Sequence, residues 1–414
     1  MGPPLGDLAR ERVKEIALEL IGFDTTNPPG ETAEAVDWIE GFFEGIGDAT
    51  TVRRHAPDGT KPNLVATVGG EADHTLTYLG HTDTVPVDSC GWSHDPFGEE
   101  HGDRVYGRGA TDMKGAAAAM LHAAEALAGS GPEPPMSVEF AFVSDEEVAG
   151  HAGLPSVLEA GLLDGDACVI GETTCEHGRH SVTVADKGSI WLTLEASGEP
   201  SHGSRPVFGE NAVDRLYGAV ESLREYLGGV EFSLEPEVKD IVTESVEYYS
   251  DRMSEKEARS LFERPTVNLG VFEGGEAVNT VPVSARAEVD VRLTAGVHTP
   301  DILSRIRELI EDREGVSVSD ASWSVGTYET VDSPLVDSLV SVAERTTQER
   351  VYRRSATGGG NAKNLREDGV PTAEFGLGTD TAHAADEYTT VDALAGNAEA
   401  YTRLPYALAE KLGR

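Results

Sequence analysis

The sequence predicts an α/β protein: a mainly parallel sheet covered by helices, with a βαββαβ domain inserted into it. Three observations predict it. A chain of 414 residues exceeds what one ordinary core holds, so two domains are expected. In the first half, short continuous apolar runs alternate with segments of helical period, the pattern of parallel strands buried on both faces. From Lys187 the order of strands and helices changes, and after about residue 327 the first pattern resumes.

The elements follow in order. Residues 5–22 and 31–46 are expected as amphipathic helices, with Asn27-Pro28-Pro29-Gly30 as the break between them. Apolar runs at 63–68, 75–79, 137–143 and 167–170 read as strands, with helices at 114–127 and 154–159 between them. Next come strand 189–196, helix 211–227, strands 266–272 and 284–293, helix 299–313 and strand 315–323. That order, βαββαβ, marks a split βαβ domain. The polar stretch 233–264, with one helix at about 253–263, reads as an insertion within it. Helix 335–347 and strand 372–375 return to the first domain, which takes 1–185 and 327–414 and leaves 186–326 to the second.

Composition narrows the class of function. Hydrophobic residues make up 39% and glycine and proline are dispersed, as in a folded protein. No apolar run approaches the ~20 residues that span a bilayer. The N-terminal stretch MGPPLGDLARERVKEIALELIGF lacks the basic start and apolar centre of a secretion signal, so a cytoplasmic location is expected. Cys90, Cys168 and Cys175 are too few and scattered for a disulfide framework and read as buried or bystander thiols.

Acidic residues number 73 against 33 basic, a net charge of −40. Such a surface repels nucleic acid and anionic membrane, so neither is an expected partner. The acids are spread along the chain rather than gathered into a tail. Self-repulsion of this size is relieved by screening, which points to a salt-rich cytoplasm such as that of a halophilic archaeon. The expected result is a higher melting temperature in multimolar salt than in dilute buffer; equal or greater stability at low salt contradicts it.

The residues that carry chemistry sit just after expected strands. His81-Thr82-Asp83 follows Leu79-Gly80, and Asp145-Glu146-Glu147 follows Val143-Ser144. Glu172 follows Ile170-Gly171, and His383 lies a few residues beyond Phe375-Gly376. Ligands of open parallel sheets bind beyond the carboxyl ends of the strands, so these distant clusters are expected to converge on one edge. Imidazole and carboxylate donors without thiolate suit zinc, cobalt or manganese. Five ligands with one shared carboxylate hold two ions about 3.5–4 Å apart. Asp112, in the glycine-rich stretch Gly107-Arg108-Gly109-Ala110-Thr111-Asp112-Met113-Lys114-Gly115, is the natural shared ligand. Asp83, two residues from His81, can accept that ring's other N–H. Successive side chains diverge at a strand end, so one of Glu146 and Glu147 can bind metal while the other serves as general base.

These motifs resemble a family of co-catalytic zinc deacylases and exopeptidases. It includes succinyl-diaminopimelate desuccinylase, acetylornithine deacetylase, aminoacylase and glutamate carboxypeptidase. The matching stretches are GHTDTVPV (80–87), WSHDPFG (92–98), GRGATDMKG (107–115), SDEEVAG (144–150), VIGETT (169–174), SHGSRPVFGENA (201–212), NTVP (279–282) and TAHAADE (381–387). They span nearly the whole chain in the family's order.

The resemblance implies a zinc-exopeptidase-like sheet whose inserted, ferredoxin-like domain acts as lid and dimerisation domain of a homodimer. It places His81, Asp112 and Glu172 around one ion and Asp112, Glu147 and His383 around the other, with a cis peptide after Asp112. Glu146 is then the base, Asp83 the residue behind His81, and His202 the histidine that reaches the other subunit's site to stabilise the developing oxyanion. Arg292 and Asn268 or Asn279 are candidates for gripping a substrate carboxylate. Many members have Ser or Thr and an Asp in the loop around Gly359, where Asn361 now sits; the loop is still expected to contact substrate.

Glutamate at 172, as in the desuccinylase and deacetylase, leans towards an N-acyl amino acid substrate and amino-acid biosynthesis. An exopeptidase of the glutamate carboxypeptidase or dipeptidase type, acting on a short peptide, is the second reading. A non-catalytic relative is the third, and the intact Glu146 and five ligands count against it. His55, His74, His94, His101, His122, His151, His177, His180 and His298 read as surface or local hydrogen-bonding residues, with His180, near Glu172, as the exception to look for.

Overall fold

The structure, a computed structural model, describes residues 6–47, 50–71, 73–87, 91–129, 133–175 and 178–413. Cys90 and His177 lie outside the described residues. The chain divides into two compact units: Met1–Val184 with Glu329–Arg353 and Gly360–Arg414, and Ala185–Tyr328 with Arg354–Gly359. Residues 354–359, which sequence order assigns to the first domain, belong to the second unit. Backbone bonds explain this: Ala356 N–H donates to Ala185 O at 2.7 Å, and Lys187 N–H to Gly358 O at 3.2 Å.

The chain opens with α1 (Asp7–Ile21), α2 (Ala33–Ile46), β1 (Thr50–His55), β2 (Asn63–Val68), β3 (Thr75–His81), β4 (Glu99–His101) and β5 (Arg104–Tyr106). It continues with α3 (Lys114–Ala128), β6 (Ser137–Val143), α4 (Leu154–Glu159), β7 (Ala167–Ile170) and β8 (His180–Ala185). The second unit adds β9 (Gly188–Ser197), α5 (Ala212–Gly228), α6 (Pro236–Tyr249), α7 (Glu255–Glu263), β10 (Thr266–Gly274), β11 (Ser284–Leu293), α8 (Thr299–Glu311) and β12 (Val316–Ser324). The return comprises α9 (Pro334–Thr347), β13 (Val351–Ser355), α10 (Asn361–Glu367), β14 (Thr372–Glu374), β15 (Tyr388–Thr390) and α11 (Val391–Lys411).

In the first unit eight strands form a sheet of order β1-β2-β6-β3-β7-β14-β8-β13. Its centre, β6-β3-β7-β14, is parallel; β1 runs antiparallel to β2, β2 to β6, and β8 to β14. The register decides where the chemistry falls. His81 stands opposite Val143, Leu79 opposite Ile170, and Ile170 opposite Glu374. The segments that follow β3, β6, β7 and β14 therefore leave the sheet side by side, at the carboxyl edge where an open parallel sheet binds its ligands.

Packing over the sheet needs small residues. Helix α3 buries alanines 116–119, and a Cβ on Gly171 would come within 2.6 Å of Met120 Cε and 2.8 Å of Met113 Cε. Glycine there lets α3 and the start of the Glu172 loop meet. Helix α11 is fastened to the sheet by two buried phenols. Tyr78 donates to Tyr401 O and Tyr401 to Phe375 O, each at 2.7 Å, so large apolar rings are buried with their hydroxyls satisfied.

The second unit is a four-stranded antiparallel sheet of order β10-β11-β9-β12. Leu192, Leu194, Val289 and Val291 on its inner face pack with Leu216 and Val220 of α5 and Ile306 and Ile310 of α8. Trp191 and Trp323 stand exposed on the strands. The stretch 233–264 holds two helices, not the single one the sequence suggested. Helix α6 buries Val238, Ile241, Val242, Ser245, Val246 and Tyr249 along one stripe, and α7 carries a capping box between Ser254 and Glu257.

Candidate metal centre

His81 ends β3 with its ring 1% exposed. Its Nδ1 lies 2.9 Å from the main-chain oxygen of Asp83, and the Asp83 carboxylate is farther, at 3.7 Å. The sequence reading had Asp83 accept that ring's N–H without saying through which oxygen. The carboxylate is engaged elsewhere: Oδ1 accepts from Glu146 N at 3.1 Å, and Oδ2 from Glu147 N at 3.2 Å and Asn27 Nδ2 at 2.8 Å. A carbonyl can only accept, so a neutral His81 carries its proton on Nδ1 and turns the Nε2 lone pair outward.

That lone pair meets carboxylates. Asp112 Oδ1 is 3.2 Å from His81 Nε2, and Glu172 Oε1 is 3.5 Å from it. The other oxygen, Asp112 Oδ2, is 3.2 Å from His383 Nε2, which also lies 3.3 Å from Glu147 Oε2. Asp112 thus offers one oxygen to each of two histidine–carboxylate groups. Donor atoms of His81, Asp112 and Glu147 all fall within 4.8 Å of one another. Tetrahedral zinc with ligand bonds of 2.0–2.1 Å separates its donors by ~3.3 Å. The observed spacings match that edge length, and the set of imidazoles and carboxylates fits a divalent cation.

Electrostatics point the same way. With four carboxylates crowded around them, the imidazoles become strong bases: His383 is pushed up to about 10 by its hydrogen bonds with Asp112 and Glu147. Burial works against a charged His81, but Asp112 and Glu172 outweigh it and raise its pKa. Burial and the charge of Asp112 push Glu172 up to about 8, while contacts with His383 and His81 overcome burial and hold Asp112 below the usual carboxylate range. A cation bound there takes the place of those protons.

The Asp112–Met113 peptide is cis. Two pieces of local structure hold the cluster. Asp145 adopts a left-handed φ of 63° beside Glu146, with its carboxylate paired to Lys61 and 3.1 Å from Asn27 Nδ2. Glu147 Oε1 accepts from Val85 N at 3.2 Å, which turns Oε2 towards His383. Glu146 itself is raised above the usual carboxylate range by burial, to which Glu147, Asp112 and Asp83 add and which His81 opposes. A Cβ on Gly360 would stand 3.7 Å from Glu146 Oε1, so the end of the glycine-rich loop lies beside it.

Asn27, Lys61, Arg108 and Glu387 were given no role from sequence. Asn27 belonged to a stretch read only as a helix break, and Arg108 and Glu387 lay inside matching motifs. Glu387 Oε2 binds Arg108 Nη1 at 2.5 Å, and its Oε1 accepts from the backbone of Thr111 at 3.0 Å and Asp112 at 3.1 Å.

The remaining candidates lie in the second unit. His202 is exposed and bridges Thr280 through the backbone, while Gly203 N–H donates to Asn279 O at 2.7 Å. Ser204 N–H donates to His202 Nδ1 at 3.1 Å, which leaves the proton of a neutral ring on Nε2. Asn268 on β10 stands opposite Asp290 on β11. The guanidinium of Arg292 is held by Asp290, with Nε at 2.8 Å and Nη2 at 3.0 Å, and lies 5.9 Å over the Trp191 ring. Gly359 sits in the segment 354–359 of the same unit.

His180 does not join the cluster: its Nδ1 is 2.7 Å from Cys175 Sγ and its Nε2 3.4 Å from Glu349. His122, read as a surface or locally bonded residue, is buried on α3, has an Nδ1 without a hydrogen-bond partner among the described residues, and is lowered in pKa by that burial. Cys168 and Cys175 are buried. Among the described residues no helix is long and apolar enough to cross a membrane.

Comparison with known proteins bears on the whole arrangement. A succinyl-diaminopimelate desuccinylase from Rhodospirillum centenum is 29% identical over 386 residues, 91% of this chain and 92% of that protein. The fold is shared with an M20 family metallo-carboxypeptidase from Sulfolobus solfataricus, at a TM-score of 0.78 and 20% identity over 96% of this chain and 99% of that one. It is shared too with a dinuclear metal-binding M20 peptidase from Bacillus subtilis, at a TM-score of 0.67 and 15% identity over 98% and 100%. Residues 77–407, which include all five clustered donors, match Peptidase family M20/M25/M40; the chain belongs to that family and is an amide-bond hydrolase.

Proposed function

We propose that the protein is a deacylase of N-acyl amino acids, of the succinyl-diaminopimelate desuccinylase or acetylornithine deacetylase type. In this reading it works with two divalent ions, zinc in the first place and cobalt or manganese in the second, as a homodimer in a salt-rich cytoplasm. The observation that carries it is the bridging position of Asp112, with one oxygen 3.2 Å from His81 and the other 3.2 Å from His383. The desuccinylase relative, aligned along nine-tenths of both chains, supports the choice of substrate class.

His81, Asp112 and Glu172 would hold one ion, and Asp112, Glu147 and His383 the other. Ions held there would supply Lewis acidity for the scissile carbonyl and for a water molecule near neutral pH. Glu146, raised above the usual carboxylate range by burial, deprotonates the attacking water and returns the proton to the departing amine. Asp83 fixes the His81 tautomer through its carbonyl and the 146–147 backbone through its carboxylate. His202, with its proton on Nε2, has the tautomer needed to donate to the developing oxyanion of the other subunit's substrate. Asn279, beside it, and Asn268, Arg292 and the loop at Gly359 are assigned to the substrate's polar end; Arg292 must trade Asp290 for substrate to do so.

A hydrolysis panel in multimolar salt tests this. N-succinyl-diaminopimelate, N-acetylornithine, other N-acyl amino acids and dipeptides are compared with added Zn²⁺ or Co²⁺. The expected result is a kcat/KM at least tenfold higher for an N-acyl amino acid than for any dipeptide. The reverse order favours the exopeptidase reading, and no turnover of any amide favours the non-catalytic one.

A further inference from the structure

We propose that Arg108 and Glu387 form a buried strut that positions Asp112 and His383 against each other and so sets the affinity of one ion, the one held by Asp112, Glu147 and His383. This rests on the two-ion reading above. Both residues are almost wholly enclosed, Arg108 at 4% exposure and Glu387 at 0%. Each reaches from one ligand loop to the other. Glu387, four residues beyond His383, accepts from Thr111 N and Asp112 N through Oε1, from Arg108 through Oε2, and from Gly107 N through its main-chain oxygen at 2.9 Å. Arg108, four residues before Asp112, sends Nη2 to Pro86 O at 3.3 Å and to His383 O at 3.5 Å.

The need for such a strut is uneven across the ligands. His81 and Glu147 leave the ends of β3 and β6 and have side chains 1% and 6% exposed, so the sheet places them. His383 has no strand beneath it. Its side chain is 54% exposed and its backbone sits at a left-handed φ of 63°, a conformation that a non-glycine residue keeps only where its surroundings impose it. Other ties help, with Ser93 Oγ donating to Asp386 at 2.6 Å and Thr379 N–H to Thr111 Oγ1 at 2.9 Å, and the buried pair adds the bond to the main chain of Asp112 itself. A buried ion pair is a costly way to stabilise a fold, and an apolar pair would serve stability as well. What the charged pair adds is directed hydrogen bonds to the main chain of two ligand loops. Outer partners of this kind are typically worth about 10–100-fold in metal affinity.

The test is Co²⁺ binding to the metal-free full-length protein, followed by calorimetry and visible absorption, for the wild type, Arg108→Lys, Glu387→Gln and His383→Ala. The wild type is expected to take two ions. Glu387→Gln should weaken one of them by about 10–100-fold, the same one that His383→Ala removes, with the other changed by less than about threefold. Arg108→Lys keeps the charge pair but loses the reach to both carbonyls, and should weaken that same ion by less. It decides the matter alone if Glu387→Gln does not fold. Two folded variants with wild-type affinities, or a parallel loss at both sites, overturn the strut while leaving the two-ion reading in place. A wild type that binds fewer than two ions overturns both.

Discussion

Replacement of Glu146 by Gln is expected to lower kcat by about 10²–10⁴-fold, or about 3–5 kcal/mol of transition-state stabilisation, while both ions stay bound and KM changes little. The substitution keeps the shape of the side chain. It also keeps the backbone bond from residue 146 to Asp83, so the 145–147 segment and Glu147 should stay in place. What it removes is the ability to accept a proton and give it back. Glu146 is the acid in the cluster suited to proton transfer, because burial lifts it and its oxygens are absent from the histidine contacts that engage Asp112, Glu147 and Glu172. Undiminished turnover in the variant would remove Glu146 from the mechanism. Loss of metal together with activity would make it a ligand instead.

The second large effect is expected at Asp112. Asn in its place keeps one oxygen and exchanges the other for an NH₂ group, which donates hydrogen bonds and cannot bind a cation. Since Asp112 faces His81 through one oxygen and His383 through the other, the variant cannot complete both groups. At least one ion should be lost, and with it several kcal/mol of transition-state charge stabilisation, or about 10³-fold in kcat. Metal analysis after dialysis and steady-state rates measure both quantities. A variant that retains two ions and wild-type rates contradicts a bridging role.

The parts of the site that sequence made legible share one physical origin. His81, Glu147 and Glu172 each follow a buried parallel strand, and parallel register brings strand ends together whatever the distance along the chain. Asp112 was legible through its glycine-rich loop. His383 was harder, because it stands on an irregular segment with no period; its place a few residues beyond Phe375-Gly376 and in TAHAADE marked it.

The contacts of Asn27 with the Asp83 and Asp145 carboxylates were not legible, because no spacing marks side chains that meet across 56 and 118 residues. The strut of Arg108 and Glu387 was not legible, because it acts largely on backbone N–H and C=O groups that leave no pattern in the side-chain sequence. The same holds for Asp83: its spacing from His81 suggested the residue, while only the folded chain separates its carbonyl, 2.9 Å from Nδ1, from its carboxylate at 3.7 Å.

The fold shows a parallel division. Continuous apolar strands such as β2 and β6 were read to the residue. The 21-residue α11 was missed, since its buried face is largely alanine and Pro405 lies inside it. Helix α6 was missed for another reason: its stripe of valines and isoleucine is interleaved with four acids, which made the segment read as a polar insertion.

Amide hydrolysis here is expected to depend on two ions bridged by Asp112. Titration of chelator-stripped wild-type protein with Zn²⁺ in multimolar salt, following bound metal and turnover of N-succinyl-diaminopimelate or N-acetylornithine in the same samples, tests it most directly. The prediction is no turnover in the stripped protein, recovery as metal is restored, and two ions per chain at saturation. Turnover that survives complete stripping, or a full rate with no metal retained, would contradict it.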